Sequence, residues 1–130
     1  MHVVKNDPAA TAPTVLVLED DAELRFLLSD TLRDTGFRVV ETSRADETLT
    51  HLRAPNDVRL VFADIKVPGS LDGHGLAHIL QQEFPAIKII LTSEYMKEPI
   101  PPGVLFLRKP YILSRVIASV RSMLQLDKEA

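Results

Sequence analysis

Residues 60–69 read Leu60-Val61-Phe62-Ala63-Asp64-Ile65-Lys66-Val67-Pro68-Gly69. An apolar run that ends on a carboxylate and then meets Pro-Gly is a buried strand with an acid at its C-terminal end. In open α/β sheets that end of the strand faces the crevice where ligands bind. Two other runs have the same form. Val15-Leu16-Val17-Leu18 leads into Glu19-Asp20-Asp21, and Val104-Leu105-Phe106-Leu107 leads past Arg108 into Lys109-Pro110. Acids on two strand ends and a lysine on a third are the groups that a hard divalent cation and a phosphoryl group would need.

Outward from these runs the chain alternates short apolar stretches with segments of helical period. Strands are expected at 15–18, 37–41, 59–63, 88–91 and 104–107. Helices are expected at 22–35, 44–53, 75–84 and 111–124. The first helix should bury Leu24, Leu27, Leu28 and Leu32 and stop at Gly36. The third should bury Leu76, Ile79, Leu80 and Phe84, and the last Leu113, Val116, Ile117, Val120 and Leu124. Several strands are apolar without alternation, the mark of a parallel sheet covered on both faces. The fold class is therefore α/β, a flavodoxin-like doubly wound five-stranded parallel sheet of order 2-1-3-4-5. One segment breaks the rhythm. Between strands four and five, Glu94 to Gly103 carries Pro99, Pro101 and Pro102, so the fourth helix of such a fold is expected to be short or missing.

The 130 residues bound one domain, expected over 14–126, with a flexible leader at 1–13 and a frayed end at 127–130. A hydrophobic fraction of 45% and a charged fraction of 25% are ordinary for a globular protein. The net charge of −3 recommends neither nucleic acid nor an anionic membrane as a direct partner. With no cysteine, disulfides, thiolate metal sites and thiol catalysis are excluded. That composition fits a reducing cytoplasm, and no apolar run is long enough to span a bilayer.

In order, Val15-Leu16-Val17-Leu18-Glu19-Asp20-Asp21, then Asp64 with Pro68 and Asp72-Gly73, then Thr92-Ser93, then Lys109-Pro110 make one pattern. The chain resembles the receiver domains of bacterial two-component response regulators, over about residues 14–124. The resemblance implies that Asp64 is the phosphoacceptor and that magnesium is held by Glu19, Asp20, Asp64 and the backbone carbonyl of Lys66. It implies that Thr92 and Lys109 bind the phosphoryl oxygens, that Thr92 and Phe106 form the switch, and that the Lys109–Pro110 peptide bond is cis. Lys66 and Glu94 fall where family members tune phosphoryl hydrolysis, and we expect the two side chains to pair across the site. The implied partners are a histidine kinase or histidine phosphotransfer protein and a downstream protein. The implied activity is not that of an enzyme in the usual sense. Such a domain promotes its own phosphorylation and dephosphorylation.

Plainer readings stand beside these. Glu19-Asp20-Asp21 could be a solvated turn, and Asp21 suits the N-cap of the first helix. Phe106 could be plain core, and Lys66 and Glu94 independent surface charges. Glutamate at 19, where some relatives have aspartate, suits a peripheral or water-bridged ligand. His74 and His78, four apart, have no third metal ligand near them in sequence and read as solvated or partly buried. The favoured reading is a stand-alone receiver that signals by contact or phosphate relay. The alternatives are a docking module of the same fold that is never phosphorylated, and a small aspartate-nucleophile phosphatase, which would need a second acid and a cap.

Overall fold

In the computed structural model, residues 12–126 are described. Most of the expected leader and the end at 127–130 lie outside them. Five strands run β1 (Thr14–Leu18), β2 (Arg38–Thr42), β3 (Val58–Asp64), β4 (Lys88–Ser93) and β5 (Leu105–Arg108). Four helices run α1 (Ala22–Asp34), α2 (Ala45–Arg53), α3 (Gly73–Glu83) and α4 (Leu113–Met123). All strand pairs are parallel, in the order β2-β1-β3-β4-β5. The doubly wound fold is as expected, and strand and helix ends lie within two residues of the sequence reading.

The side-chain alternation of β1 shows how the sheet is covered. Val15 and Val17 join Leu60, Phe62 and Ile90 under Leu28 and Leu32 of α1 and Val116 and Val120 of α4. Leu16 and Leu18 join Val61, Ala63 and Leu91 under Leu49 and Leu52 of α2 and Leu76 and Leu80 of α3. Each strand residue is buried whichever way it points, so the central strands must be apolar throughout. Burying a leucine in such a core contributes roughly 2 kcal/mol, so the paired cores lock strand order and register together.

Helix ends aim the loops. Asp21 caps α1, its Oδ1 accepting from Glu23 N (3.0 Å) and Leu24 N (3.2 Å). At the other end Phe37 N donates to Leu32 O (3.1 Å) and Gly36 N to Arg33 O (3.0 Å), with Gly36 at φ +105°. That is the paired C-terminal bonding in which glycine takes the left-handed position. One expectation for α1 fails. Leu27 is 49% exposed and Phe26 63%. The buried stripe follows Leu24, Leu28 and Leu32, and Leu27 falls about 60° to its other side at 3.6 residues per turn.

No helix forms among the described residues between β4 and β5. The segment is nevertheless held. Ile100 and Val104 pack on the α2–α3 core. From α3, His74 Nε2 donates to Pro99 O (3.0 Å) and Gln81 Nε2 to Pro102 O (2.8 Å). Three prolines leave the segment short of N–H donors. Pro101 O accepts from Val104 N (3.1 Å), and the carbonyls of Pro99 and Pro102 take partners from elsewhere. His74 and Gln81, two turns apart on α3, supply them. This explains why His74 is buried, more deeply than its sequence suggested.

Candidate functional site

In the order β2-β1-β3-β4-β5 the strands are added to opposite sides of the sheet on either side of the β1–β3 junction, and the acids sit at the carboxyl ends of those two strands. Leu18 pairs with Ala63, and Asp64 with Thr92 on β4. Adjacent strand ends therefore bring Glu19, Asp20, Asp64 and Thr92 to one crevice. Lys109 joins them from β5 by way of its N–H bond to Ser93 O (2.9 Å) and the cis Lys109–Pro110 bond.

Asp64 is buried and held at both oxygens. Lys66 N donates to Oδ1 (3.1 Å), and Lys109 Nζ donates to Oδ2 (2.9 Å). The loop after Asp64 is fixed by Ile65 N to Thr92 O (2.9 Å) and Gly73 N to Ile65 O (2.8 Å). Gly73 is required by a close approach. A Cβ there would lie 2.6 Å from Asp64 O and 2.6 Å from Ile65 Cα, which are backbone atoms that cannot swing away.

Glu19 is 2% exposed. Its Oε1 accepts from Lys109 Nζ (3.3 Å) and its Oε2 from Asp21 N (3.0 Å). Its own carbonyl accepts from Arg25 Nη1 (2.8 Å), and Arg25 also meets Glu41 at 3.5 Å. Burial pushes the Glu19 carboxyl up from the usual carboxylate range. The Asp21 amide and Lys109 pull it back, and the charge of Asp64 adds to the rise. Burial alone would lower the Lys109 ammonium, but the hydrogen bond it donates to Asp64 and the charges of Asp64 and Glu19 reverse that and hold it well above its usual range. Lys109 thus offsets two carboxylates crowded into a poorly solvated place.

Glu19, Asp20 and Asp64 each offer a carboxylate oxygen, and these oxygens lie within 4.8 Å of one another. Among the described residues this is the one acidic group of that kind. Three hard oxygen donors so close, with Asp20 on the solvent side, fit magnesium, which takes one or two carboxylates and keeps several waters. Thr92 is fully buried, and its Oγ1 has no hydrogen-bond partner among the described residues. An orphan hydroxyl opposite the acid is a donor awaiting an acceptor.

Other expected residues fall differently. Lys66 does not pair with Glu94. Its Nζ lies over the Tyr95 ring, 5.5 Å from the centroid. Glu94 is exposed at the site's edge and its carbonyl accepts from Arg108 Nε (3.2 Å). The cause is the path of the proline-rich segment, which turns Tyr95 toward the loop after β3. Phe106 is half-buried against the α2–α3 core. It also lines a surface groove of about 570 Å³ with Met96, Tyr111 and Ile112. His74 and His78 stack at 6.4 Å, and among the described residues no third metal-ligating side chain completes a cluster with them.

Sequence reasoning missed Tyr111. Its ring meets Phe62 edge-on, centroids 5.9 Å apart at 87°. Its hydroxyl is buried and has no partner among the described residues. Burial pushes that phenol up to about 12. The available signal was its position two residues after Lys109, on the connection that aims the lysine.

With fold and site together, the comparisons give the class. The family model described as the response regulator receiver domain matches residues 15–121. The chain belongs to the response regulator receiver domain family. It is 30% identical over 118 residues to the C4-dicarboxylate transport transcriptional regulatory protein DctD of Rhizobium meliloti, covering 86% of this chain and 25% of DctD. It is 37% identical over 84 residues to the response regulator protein FleR of Pseudomonas aeruginosa, covering 65% of this chain and 17% of FleR. The chain thus spans a quarter or less of these two curated relatives. A crystal structure of a response regulator receiver protein from Sinorhizobium medicae superposes with a TM-score of 0.83 at 25% identity, covering 88% of this chain and 96% of that one. Among the described residues no helix is long and apolar enough to cross a membrane.

Proposed function

We propose that this receiver accepts a phosphoryl group on Asp64 from a histidine kinase or histidine phosphotransfer protein in the cytoplasm and signals through protein contact or phosphate relay. One observation carries the reading: Lys109 Nζ lies 2.9 Å from Asp64 Oδ2 and 3.3 Å from Glu19 Oε1, a cation poised on the acid that is to gain further negative charge.

The step is an in-line displacement. An Asp64 oxygen forms a bond to phosphorus as the phosphorus–nitrogen bond of a phosphohistidine breaks, and the imidazole leaves with the electron pair. An acyl phosphate results. Phosphoryl transfer asks the protein mainly for position and charge neutralisation. The Lys66 amide and Lys109 hold the two Asp64 oxygens at fixed places. Magnesium, held by Glu19, Asp20, Asp64 and the Lys66 carbonyl, would supply charge neutralisation at the phosphoryl oxygens. Once the phosphoryl group is on, Lys109 moves its bonds to a phosphoryl oxygen and Thr92 Oγ1 donates to another. Those two shifts alter the ends of β4 and β5, with Phe106 on β5 as the switch residue, biasing a two-state element. Hydrolysis by water returns the carboxylate, and Lys66 and Glu94 at the rim tune its rate.

Beryllofluoride with magnesium tests this reading. Binding that shifts the amide resonances of Asp64, Thr92 and Lys109, and that is lost in Asp64→Asn, is the expected result. A chain that ignores the probe at millimolar concentration would instead be a docking module of the same fold.

A further inference from the structure

We propose that Lys66 is a second phosphoryl-binding cation, held in reserve on the face of Tyr95, and that a phosphoryl group on Asp64 draws it off the ring. The inference rests on the phosphoacceptor reading and adds to it a binding residue and a release step.

Four observations lead to it. The backbone of Lys66 is fixed at the site, because its amide donates to Asp64 Oδ1 at 3.1 Å. Its side chain is exposed, and the ammonium lies 5.5 Å from the Tyr95 ring centroid, within reach of the ring's negative face. Tyr95 is 58% exposed and is tethered at its own amide to Ser93 Oγ (3.4 Å), one residue after Thr92. The pair lines a cavity of about 170 Å³ together with Ile65, Asp72, His74, Ser93, Lys97 and Glu98. The cation therefore bridges the mouth of the site, from the loop after β3 to the segment after β4.

Lys66 and Lys109 differ in commitment. Lys109 is bound to two carboxylates in a buried place. Among the described residues Lys66 forms no salt bridge and rests on an aromatic face in solvent, and exposed contacts of that kind are weak. A phosphoryl group brings close to two negative charges to a point beside the Lys66 amide. A lysine ammonium on a flexible four-carbon stem is a mobile point charge. Offered a concentrated dianion or a diffuse quadrupole, it goes to the dianion. The ring of Tyr95 is then free, and so is the start of the proline-rich segment, where Met96 is also exposed. Occupancy of Asp64 would thus be read on a surface outside the β5 connection.

The test uses the whole chain, with beryllofluoride and magnesium as the probe and the Tyr95 ring resonances as the readout. Tyr95→Phe identifies those resonances against Tyr111, since the chain has two tyrosines and no tryptophan. The probe is expected to shift the Tyr95 ring in the parent chain. In Lys66→Met, at saturating probe, the Asp64 amide should still shift while the Tyr95 ring does not. Tyr95→Leu frees the cation in advance and should bind the probe about two- to five-fold more tightly, whereas Tyr95→Phe keeps the face and should match the parent. A Tyr95 ring that shifts equally in Lys66→Met overturns the inference, as does a ring that stays still while the Asp64 amide moves. If the Asp64 amide itself never moves, the phosphoacceptor reading fails and this inference falls with it.

Discussion

Lys109 Nζ lies 2.9 Å from Asp64 Oδ2 and also 3.3 Å from Glu19 Oε1, so one ammonium separates two buried carboxylates. Removing it leaves like charges facing each other in a place with little solvent. Lys109→Met should therefore lower unfolding stability by on the order of 3 kcal/mol, the usual cost of breaking a buried pair from one side. Magnesium should stabilise this variant more than the parent, because a cation can replace the lost charge. Urea denaturation with and without magnesium reads both effects, and equal magnesium stabilisation of the two proteins would count against shared carboxylates.

Thr92 offers the opposite case. Its buried hydroxyl has no partner among the described residues, so Thr92→Val removes an unmet donor and keeps the shape. Stability should stay the same or rise by about 1 kcal/mol. Phosphoryl retention should fall at the same time, because the donor meant for a phosphoryl oxygen is gone. Thermal unfolding and the decay of labelled protein make the comparison. A variant that is destabilised yet keeps its label would assign Thr92 to the fold alone.

Gly73 sets how closely α3 approaches the acid. Since a Cβ there would sit 2.6 Å from Asp64 O, Gly73→Ala must push the loop after β3 away, at a cost of about 1–3 kcal/mol. The displacement falls on Asp64 itself. Phosphorylation by a small donor should slow by about tenfold or more, since a misplacement near 1 Å is costly to in-line chemistry. Ala77, buried on the same helix, gives a control. Ala77→Gly should lose stability and leave the rate largely unchanged.

Tyr111 gives a pH prediction. Burial raises its phenol from 10.0 to about 12. A group whose folded value lies above the unfolded one contributes stability that is complete below the unfolded value and lost as the pH climbs through the folded one. Tyr111 therefore favours the folded chain up to about pH 10, and that contribution disappears between 10 and 12. Phenolate absorbance should show a late limb near pH 12 that is missing in Tyr111→Phe. A parent titration in which both phenols ionise together near pH 10, with no late limb, would place the hydroxyl in contact with water.

The sheet could be read from sequence because its central strands are covered on both faces. Val15 to Leu18 and Leu60 to Ala63 had to be apolar throughout, and the charged residues just past them marked the strand ends. Those ends carried the site: Glu19, Asp20, Asp64, Thr92 and Lys109 fall together because parallel strands share one carboxyl edge. What depends on loop paths could not be read. The contact of Lys66 with Tyr95 in place of Glu94 follows from the route of the proline-rich segment, which is fixed by distant donors on α3, His74 and Gln81. Leu27 was misplaced because a leucine at the rim of a helical stripe has the same spacing as one inside it. Arg25 on the Glu19 carbonyl left no mark, since a side-chain bond to a backbone oxygen has no residue-type signature.

The central claim is that Asp64 becomes covalently phosphorylated with magnesium present. Intact-mass measurement after incubation with acetyl phosphate and magnesium tests it most directly, followed by borohydride trapping and peptide mapping of the modified residue. The account predicts a gain of one phosphoryl group, mapped to Asp64, abolished by chelator and by Asp64→Asn. An unmodified mass, or a phosphoryl group mapped elsewhere while Asp64 stays free, would contradict it.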